Sequence, residues 1–250
     1  MPADKPGSPK RVTLDRLLSK LGVASRAQAA EWIGQGRVSV NGRVVRQVEH
    51  WVSWPMDRVT VDRRTLEEAP KRFFLFHKPR GVVTTRSDEN GRRTIFDVLP
   101  EALQKLHAVG RLDQATSGLL LLTNDTALSD HLTDPTTGLP RTYLVTVRGL
   151  FTEEKAIAAV RGILDKSEHL QSDRVSIQKA TARESHLEVI LRQGKNREVR
   201  RLMAALGHEV TRLRRIQFGP FHLRTLEPSG LLEIPIEEAR RLSGLGSSPR

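Results

Sequence analysis

One segment constrains this chain more than any other: Ala108-Val109-Gly110-Arg111-Leu112-Asp113-Gln114-Ala115-Thr116-Ser117-Gly118-Leu119-Leu120-Leu121-Leu122-Thr123-Asn124-Asp125. It sets Arg111 and Asp113 between two apolar runs, of which 119–123 reads as a strand. Any fold that buries those runs holds the Asp113 carboxylate on a tight loop against the core, where a charge is costly unless hydrogen-bonded or paired. Two local readings stand side by side. Asp113 either bonds the turn through Thr116, as an Asx-turn does, or is held there for chemistry. Asp125 is placed to cap or precede a helix starting near Ala127.

Charge narrows the partners. Among 250 residues, 41 Lys+Arg oppose 29 Asp+Glu, a net charge of +12, which suits a polyanion and first of all a nucleic acid. The plain alternative is a solvated basic surface. Aromatic residues make up only 4%, with a single tyrosine, so a broad stacking platform of the single-strand binders is not expected. With no cysteine, disulfides, thiolate metal sites and cysteine nucleophiles are excluded as well. No stretch approaches the roughly 18 to 20 apolar residues that span a bilayer, and residues 1–10 lack the apolar core of a secretory signal, so a cytoplasmic location and no membrane partner are expected. The histidines, among them His77, His107, His131 and His208, show no metal-ligand spacing, and no Walker or dinucleotide glycine pattern is present. Neither a metal nor a cofactor is expected.

Residues 1–10 read as a disordered basic arm. Leu14, Leu17, Leu18 and Leu21 share one face of a short helix ended by Gly22. Ser25-Arg26-Ala27-Gln28 is a capping box opening a second helix, and Asn41-Gly42 between β-branched runs predicts a hairpin. Residues 11–60 therefore form a compact module. The charged stretch 61–72 reads as a linker. Beyond it, strand-like runs (73–76, 81–85, 119–123, 142–148, 187–191 and 210–216) alternate with helical ones (127–132, 153–164 and 197–206). That order predicts an α+β chain. A small N-terminal α/β module precedes a domain over 73–238 with a mixed, mainly antiparallel sheet flanked by helices, and 239–250 is a disordered tail.

Two resemblances give these elements a purpose. Gly22-Val23-Ala24-Ser25-Arg26 and Gly36-Arg37-Val38-Ser39-Val40-Asn41-Gly42 resemble the ribosomal-protein-S-four type RNA-binding domain. Arg11, Arg16, Lys20, Arg26, Arg37 and Arg43 are then expected to contact phosphates, which position a protein without reading sequence. The run 110–125, together with Lys78-Pro79-Arg80-Gly81, Thr94-Ile95-Phe96-Asp97-Val98-Leu99-Pro100, Arg141-Thr142-Tyr143-Leu144-Val145 and Gly194-Lys195-Asn196-Arg197-Glu198-Val199-Arg200-Arg201, resembles pseudouridine synthases of the RsuA and RluB type. The blocks occur in the family's order and cover most of the chain. One small departure is Glu198, where many relatives carry an amide.

The resemblance implies isomerisation of a uridine in ribosomal RNA: the base leaves the ribose and rejoins it through carbon five, with no redox step or energy input. Asp113 becomes the essential carboxylate, and Tyr143 stacks on the uracil. A basic residue keeps Asp113 ionised, a role assigned to Arg200 by motif position, with Arg197 as the second choice. Arg111 fills the space left when the uridine leaves its stack, Leu213 walls the uracil pocket, and Thr116 and Arg197 join them at the substrate. Lys195 and Arg201 are expected on phosphates. Because a base must be extruded before it can be modified, a structured loop of ribosomal RNA, free or within an assembly intermediate, is the expected substrate. The stretch 84–100 leans toward the large-subunit enzymes, and a monomer is the default. The competing expectation is a catalytically silent, ribosome-associated RNA-binding or assembly factor.

Overall fold

The computed structural model describes residues 11–67 and 69–246; the arm read at 1–10 and the last four residues lie outside that range. The chain divides into two compact units, Met1–Pro70 and Lys71–Arg250.

The first unit comprises β1 (Arg11–Thr13), α1 (Leu14–Lys20), α2 (Arg26–Gly34), β2 (Val38–Val40), β3 (Arg43–Val44), β4 (Trp51–Ser53), β5 (Val59–Val61) and β6 (Arg64–Thr65). The expected capping box opens α2: Gln28 N–H donates to Ser25 Oγ at 3.2 Å, and Ser25 N–H donates to Gln28 Oε1 at 3.0 Å. Asn41 and Gly42 have φ of 50° and 80°, the left-handed pair that a tight hairpin between β2 and β3 requires. Leu14, Leu17, Leu18, Ala29, Ile33 and the valines of β2, β4 and β5 form one core. The expected linker at 61–72 is corrected here. Val61 belongs to that core, and a turn at Asp62 and Arg63, both left-handed, returns the chain as β6 onto β5. Two charged turn residues concealed a hairpin.

The second unit is built on β7 (Phe73–Lys78), β8 (His107–Val109), β9 (Ser117–Thr123), α3 (Thr126–Thr133), β10 (Arg141–Arg148), α4 (Glu153–Arg161), a small hairpin of β11 (Ile163–Asp165) and β12 (Glu168–Leu170), β13 (Arg174–Ala180), β14 (Glu184–Leu191), α5 (Glu198–Ala205), β15 (Val210–Phe218), β16 (Phe221–His222), β17 (Leu231–Ile234) and α6 (Ile236–Ser243). The large sheet has the order β13-β14-β10-β15-β9-β7-β17, with β8 paired to β9 and β16 to β15. Every pairing in it is antiparallel except β15 with β9, so the mixed, mainly antiparallel sheet is as expected.

The four leucines of β9 are fully buried because both faces of the sheet are covered there. Leu119 and Leu121 pack with Leu128 and Leu132 of α3 and Ala239 of α6, while Leu120 and Leu122 pack with Ile95, Leu99 and Leu103. A third core joins Val145, Leu187 and Leu213 of β10, β14 and β15 to Val199, Leu202 and Met203 of α5. Gly118 marks the joint of the two half-sheets. Its φ is 110°, and a Cβ there would lie 2.2 Å from the Arg215 carbonyl oxygen, so only glycine lets β9 approach β15.

Three expectations are corrected in this unit. Residues 81–85 form no strand; they are loop, with one bridge from Val83 to Thr94. The helix expected over 153–164 ends at Arg161, where Gly162 takes φ of 93° and the chain turns into β11. The tail expected to be disordered from 239 instead contains most of α6. Ala239 is buried, and Arg240 donates from Nε to Asp125 Oδ2 at 2.8 Å, with its Nη2 2.6 Å from the same oxygen, in a nearly buried ion pair. The Ser243 carbonyl lies 2.8 Å from His131 Nε2, which places that histidine against α6. Asp125 also caps α3 as expected, its Oδ1 accepting from the N–H groups of Ala127 and Leu128.

Arg240→Ala leaves the Asp125 carboxylate buried without its cation. We expect it to lower the unfolding free energy by about 3–5 kcal/mol, read as a lower urea midpoint; an unchanged midpoint would mean that α6 does not anchor the domain.

Candidate active site

The loop between β8 and β9 is strapped from beneath. Lys78, at the end of β7, is fully buried, and its Nζ donates to the carbonyls of Thr116 (2.8 Å), Pro79 (3.0 Å) and Asp113 (3.2 Å). Thr116 N–H closes the turn on the Asp113 carbonyl at 3.0 Å, and Gly81 N–H donates to the Gln114 carbonyl at 2.8 Å. Thr84 Oγ1 donates to the Leu112 carbonyl and accepts from its N–H, while the Leu112 side chain enters the core. With its backbone held at this many points, the loop presents the Asp113 carboxylate outward, about one-third exposed. The Asx-turn alternative is not observed: the turn closes through the backbone, and the carboxylate points to a cation.

That cation is Arg197, whose Nη1 lies 3.3 Å from Asp113 Oδ2. Arg200, expected in this place, instead donates to the carbonyls of Val210 (3.1 Å) and Ala115 (3.3 Å). The correction has a geometric cause. Arg200 lies inside α5 and half under the surface, where its shortest reach is to the backbone of the loop and of β15, whereas Arg197 precedes the helix. Burial, with the neighbouring Arg197, lowers the Arg200 pKa, and Asp113 opposes that shift, so the two groups interact without an ion pair. Arg197 has φ of 49°, a left-handed conformation that costs a non-glycine residue about 1–3 kcal/mol and that functional sites tolerate.

Asp113 and Tyr143 line one cavity of about 360 Å³, and Arg111, Thr116, Lys195, Arg197, Arg200 and Leu213 line it too. The volume falls in the range of small-molecule sites. The structure thus brings together all seven residues expected at the catalytic centre and substrate, plus Lys195. A wider groove of about 800 Å³ adjoins it, sharing Arg111, Asp113 and Arg197 and extending to Arg80 and Arg92.

Other expected RNA contacts fare differently. Arg201 is committed within the fold, pairing with Asp165 at 2.6 Å and with Glu168, and so ties α5 to the β11–β12 hairpin. Lys195 Nζ donates to the His169 carbonyl at 2.5 Å. In the first unit Arg11, Arg16, Lys20, Arg26, Arg37 and Arg43 are all exposed. Arg26 pairs with Asp15 at 2.8 Å, and Arg37 pairs with Asp62 at 2.5 Å while lying over the Trp32 ring.

Sequence reasoning assigned no role to Lys78 or Arg141, and it grouped Arg215 with the basic residues expected mostly on phosphates, whereas the structure buries it in the site. The signal for Lys78 was a cation continuing the apolar run of β7. Arg141 and Arg215 are 8% and 3% exposed and line the cavity, and both guanidiniums lie against Phe218, at 4.6 and 4.9 Å from its ring centre. Burial lowers the Arg141 pKa, although Tyr143 and Glu198 oppose the shift. Glu198 is itself buried, which raises its pKa against the pull of the Lys195 N–H at 3.1 Å.

A clamped carboxylate, a tyrosine and a surplus of cations around one base-sized cavity define an enzyme that acts on a nucleotide within a polyanion. The sequence profile described as RNA pseudouridylate synthase matches residues 72–205, and the S4 domain profile matches residues 12–59. The chain belongs to the RNA pseudouridylate synthase family and carries an S4 domain ahead of the catalytic unit. It is similar to the ribosomal large subunit pseudouridine synthase B of Bacillus subtilis (strain 168), with 34% identity over 93% of this chain and 96% of that protein. It is also similar to an uncharacterized RNA pseudouridine synthase of Aquifex aeolicus (strain VF5), with 34% identity over 92% of this chain and 93% of the relative. A solved pseudouridylate synthase structure matches with a TM-score of 0.64 and 29% identity, over 92% of this chain and 99% of the other.

Lys78 gives this site a predicted pH response. Burial lowers its pKa from 10.5 to about 8, with Asp113 pulling the other way. Between those values the unfolded chain holds the proton more tightly. The lysine therefore contributes least to stability at pH 8 and below, and more as pH rises toward 10.5. Turnover should move oppositely, because a neutral amine has only two N–H groups for three carbonyls. We expect activity to fall along an alkaline limb near pH 8, and Lys78→Met to lose about 100-fold in kcat through a displaced loop. Single-turnover rates against pH check both; a flat wild-type profile to pH 10 would contradict the clamp.

Proposed function

We propose that this protein converts one uridine of large-subunit ribosomal RNA to pseudouridine, with Asp113 as the essential carboxylate. The observation that carries the proposal is the Asp113 carboxylate, fixed by the Lys78 clamp and paired at 3.3 Å with Arg197, in the same cavity as Tyr143. In the reaction the bond from ribose C1′ to N1 breaks and a bond from C1′ to C5 forms; C5 loses its proton and N1 gains one. Atoms and electrons balance without a cofactor. Arg197, 3.3 Å away, orients the Asp113 carboxylate for nucleophilic or proton-removing work at the sugar or base. Tyr143 and Leu213 enclose the uracil, Arg200 steadies the loop through the Ala115 carbonyl, and Arg111 fills the place that the extruded base leaves in its stack. The substrate is a structured RNA loop, where extrusion costs least, met in the cytoplasm as free RNA or in an assembling particle. The protein acts as a monomer.

Pseudouridine mapping of ribosomal RNA from cells lacking the protein should show one large-subunit site missing. Wild type should restore it and Asp113→Asn should not. Restoration by Asp113→Asn, or no missing site, would leave an RNA-binding assembly factor as the better account.

The exposed arginines and lysine of the S4 domain serve capture. RNA affinity should fall with salt by about 0.7–0.9 in log–log slope per phosphate engaged. Deleting residues 1–70 should raise KM and flatten that slope with kcat retained; lost turnover at saturating RNA would place the S4 domain in the chemical step.

A further inference from the structure

Arg215 is a buried cation that the proposed chemistry does not use. It is 3% exposed, and its one side-chain hydrogen bond among the described residues runs from Nε to the Leu119 carbonyl at 2.8 Å. No carboxylate pairs with it among the described residues, and its Nη2 is buried without a partner. A guanidinium carries five N–H donors, and among the described residues neither terminal nitrogen of Arg215 donates a hydrogen bond. Leaving a buried charged donor unsatisfied is costly, and such a cost persists at sites where a ligand completes the bonding. The group is also rigid. Its backbone abuts Gly118 and its guanidinium lies against the Phe218 ring.

Strand register fixes what Arg215 faces. Tyr143 on β10 is directly opposite Arg215 on β15, and Val145 is opposite Leu213. Residues two apart on a strand share a face, so Tyr143, Leu213 and Arg215 occupy adjacent positions on one face, and all three line the cavity. The space between Tyr143 and Leu213 is therefore bordered by Arg215.

We propose that Arg215 is a specificity-determining residue: its free N–H groups donate to the O4 carbonyl of the uracil ring. The inference rests on the reading of the cavity as a uridine site. A guanidinium donates and cannot accept. Uracil offers an acceptor at position four, whereas cytosine offers an amino donor, so Arg215 admits the first base and opposes the second. Sites built around a buried hydrogen-bonding group discriminate strongly because a mismatched base leaves that group unpaired.

The test uses the full chain and an RNA hairpin spanning the mapped site, synthesised with uridine, cytidine or a pyrimidin-2-one riboside, which lacks O4, at the target position. Wild type should bind the uridine hairpin about 10- to 100-fold more tightly than either of the others. Arg215→Met should lose that preference by weakening uridine binding alone, and Arg215→Lys, which keeps a charged donor, should recover part of it. The pyrimidin-2-one comparison needs no substitution and so holds even if the methionine variant fails to fold. If wild type converts the uridine hairpin but binds all three alike, Arg215 does not read O4. Equal weakening of uridine and cytidine binding by Arg215→Met would likewise overturn the proposal in favour of a phosphate contact. If wild type converts no uridine at all, the function reading itself fails, and the assignment of Arg215 falls with it.

Discussion

The catalytic unit depends on one joint, the parallel pairing of β9 with β15. On one side β17, β7, β8 and β9 form an antiparallel group, and on the other β13, β14, β10 and β15 form a second. Gly118 allows the two backbones to meet, and Arg215 fastens them by donating to the Leu119 carbonyl. The Asp113 loop enters β9 immediately before this joint. It therefore lies beside α5 and β15, which carry Arg197, Arg200 and Leu213, although those residues are 84 to 100 positions further along the chain. The cavity exists because two half-sheets are sutured at a glycine.

Its electrostatics follow a consistent division. Cations that work structurally are matched with carboxylates: Arg240 with Asp125, and Arg201 with Asp165 and Glu168. The buried cations around the cavity are held mainly by backbone carbonyls: Lys78 by three of them, Arg141 by those of Leu139 and Arg192, Arg200 by those of Ala115 and Val210, and Arg215 by that of Leu119. A carbonyl satisfies hydrogen-bonding capacity without cancelling charge. The cavity wall thus stays positive, as binding a nucleotide in a polyanion requires, while the Asp113 carboxylate has Arg197 as its one ion-pair partner among the described residues.

Much of this was legible before the fold was seen, for local reasons. The capping box at Ser25, the Asn41-Gly42 hairpin and the leucine run of β9 each encode their structure within a few residues, where propensity and sterics act directly. The blocks around Asp113, Tyr143 and 194–201 pointed to the site because their spacing matches a known family, and the cavity contains every residue they nominated for it. The misread segments are those whose structure depends on distant partners. Asp62-Arg63 looked like linker because a charged turn and a charged hinge have the same composition. The polar sequence of α6 looked like a tail because the interaction that buries Arg240 is with Asp125, 115 residues earlier. The run at 81–85 is apolar because Val82 and Val83 pack into the core, yet it bonds as loop.

The sequence by itself determined the class of partner through its charge, the local elements through periodicity and capping, and the candidate carboxylate through motif resemblance. Tertiary structure alone decided which arginine meets Asp113, that Lys78 clamps its loop, and that Arg215 stands buried with donors to spare. The physical reason is that propensity and charge are properties of a residue and its neighbours, whereas pairing, burial and an unmet hydrogen bond are properties of a place in the packed sheet, set only when β15 lies down beside β9.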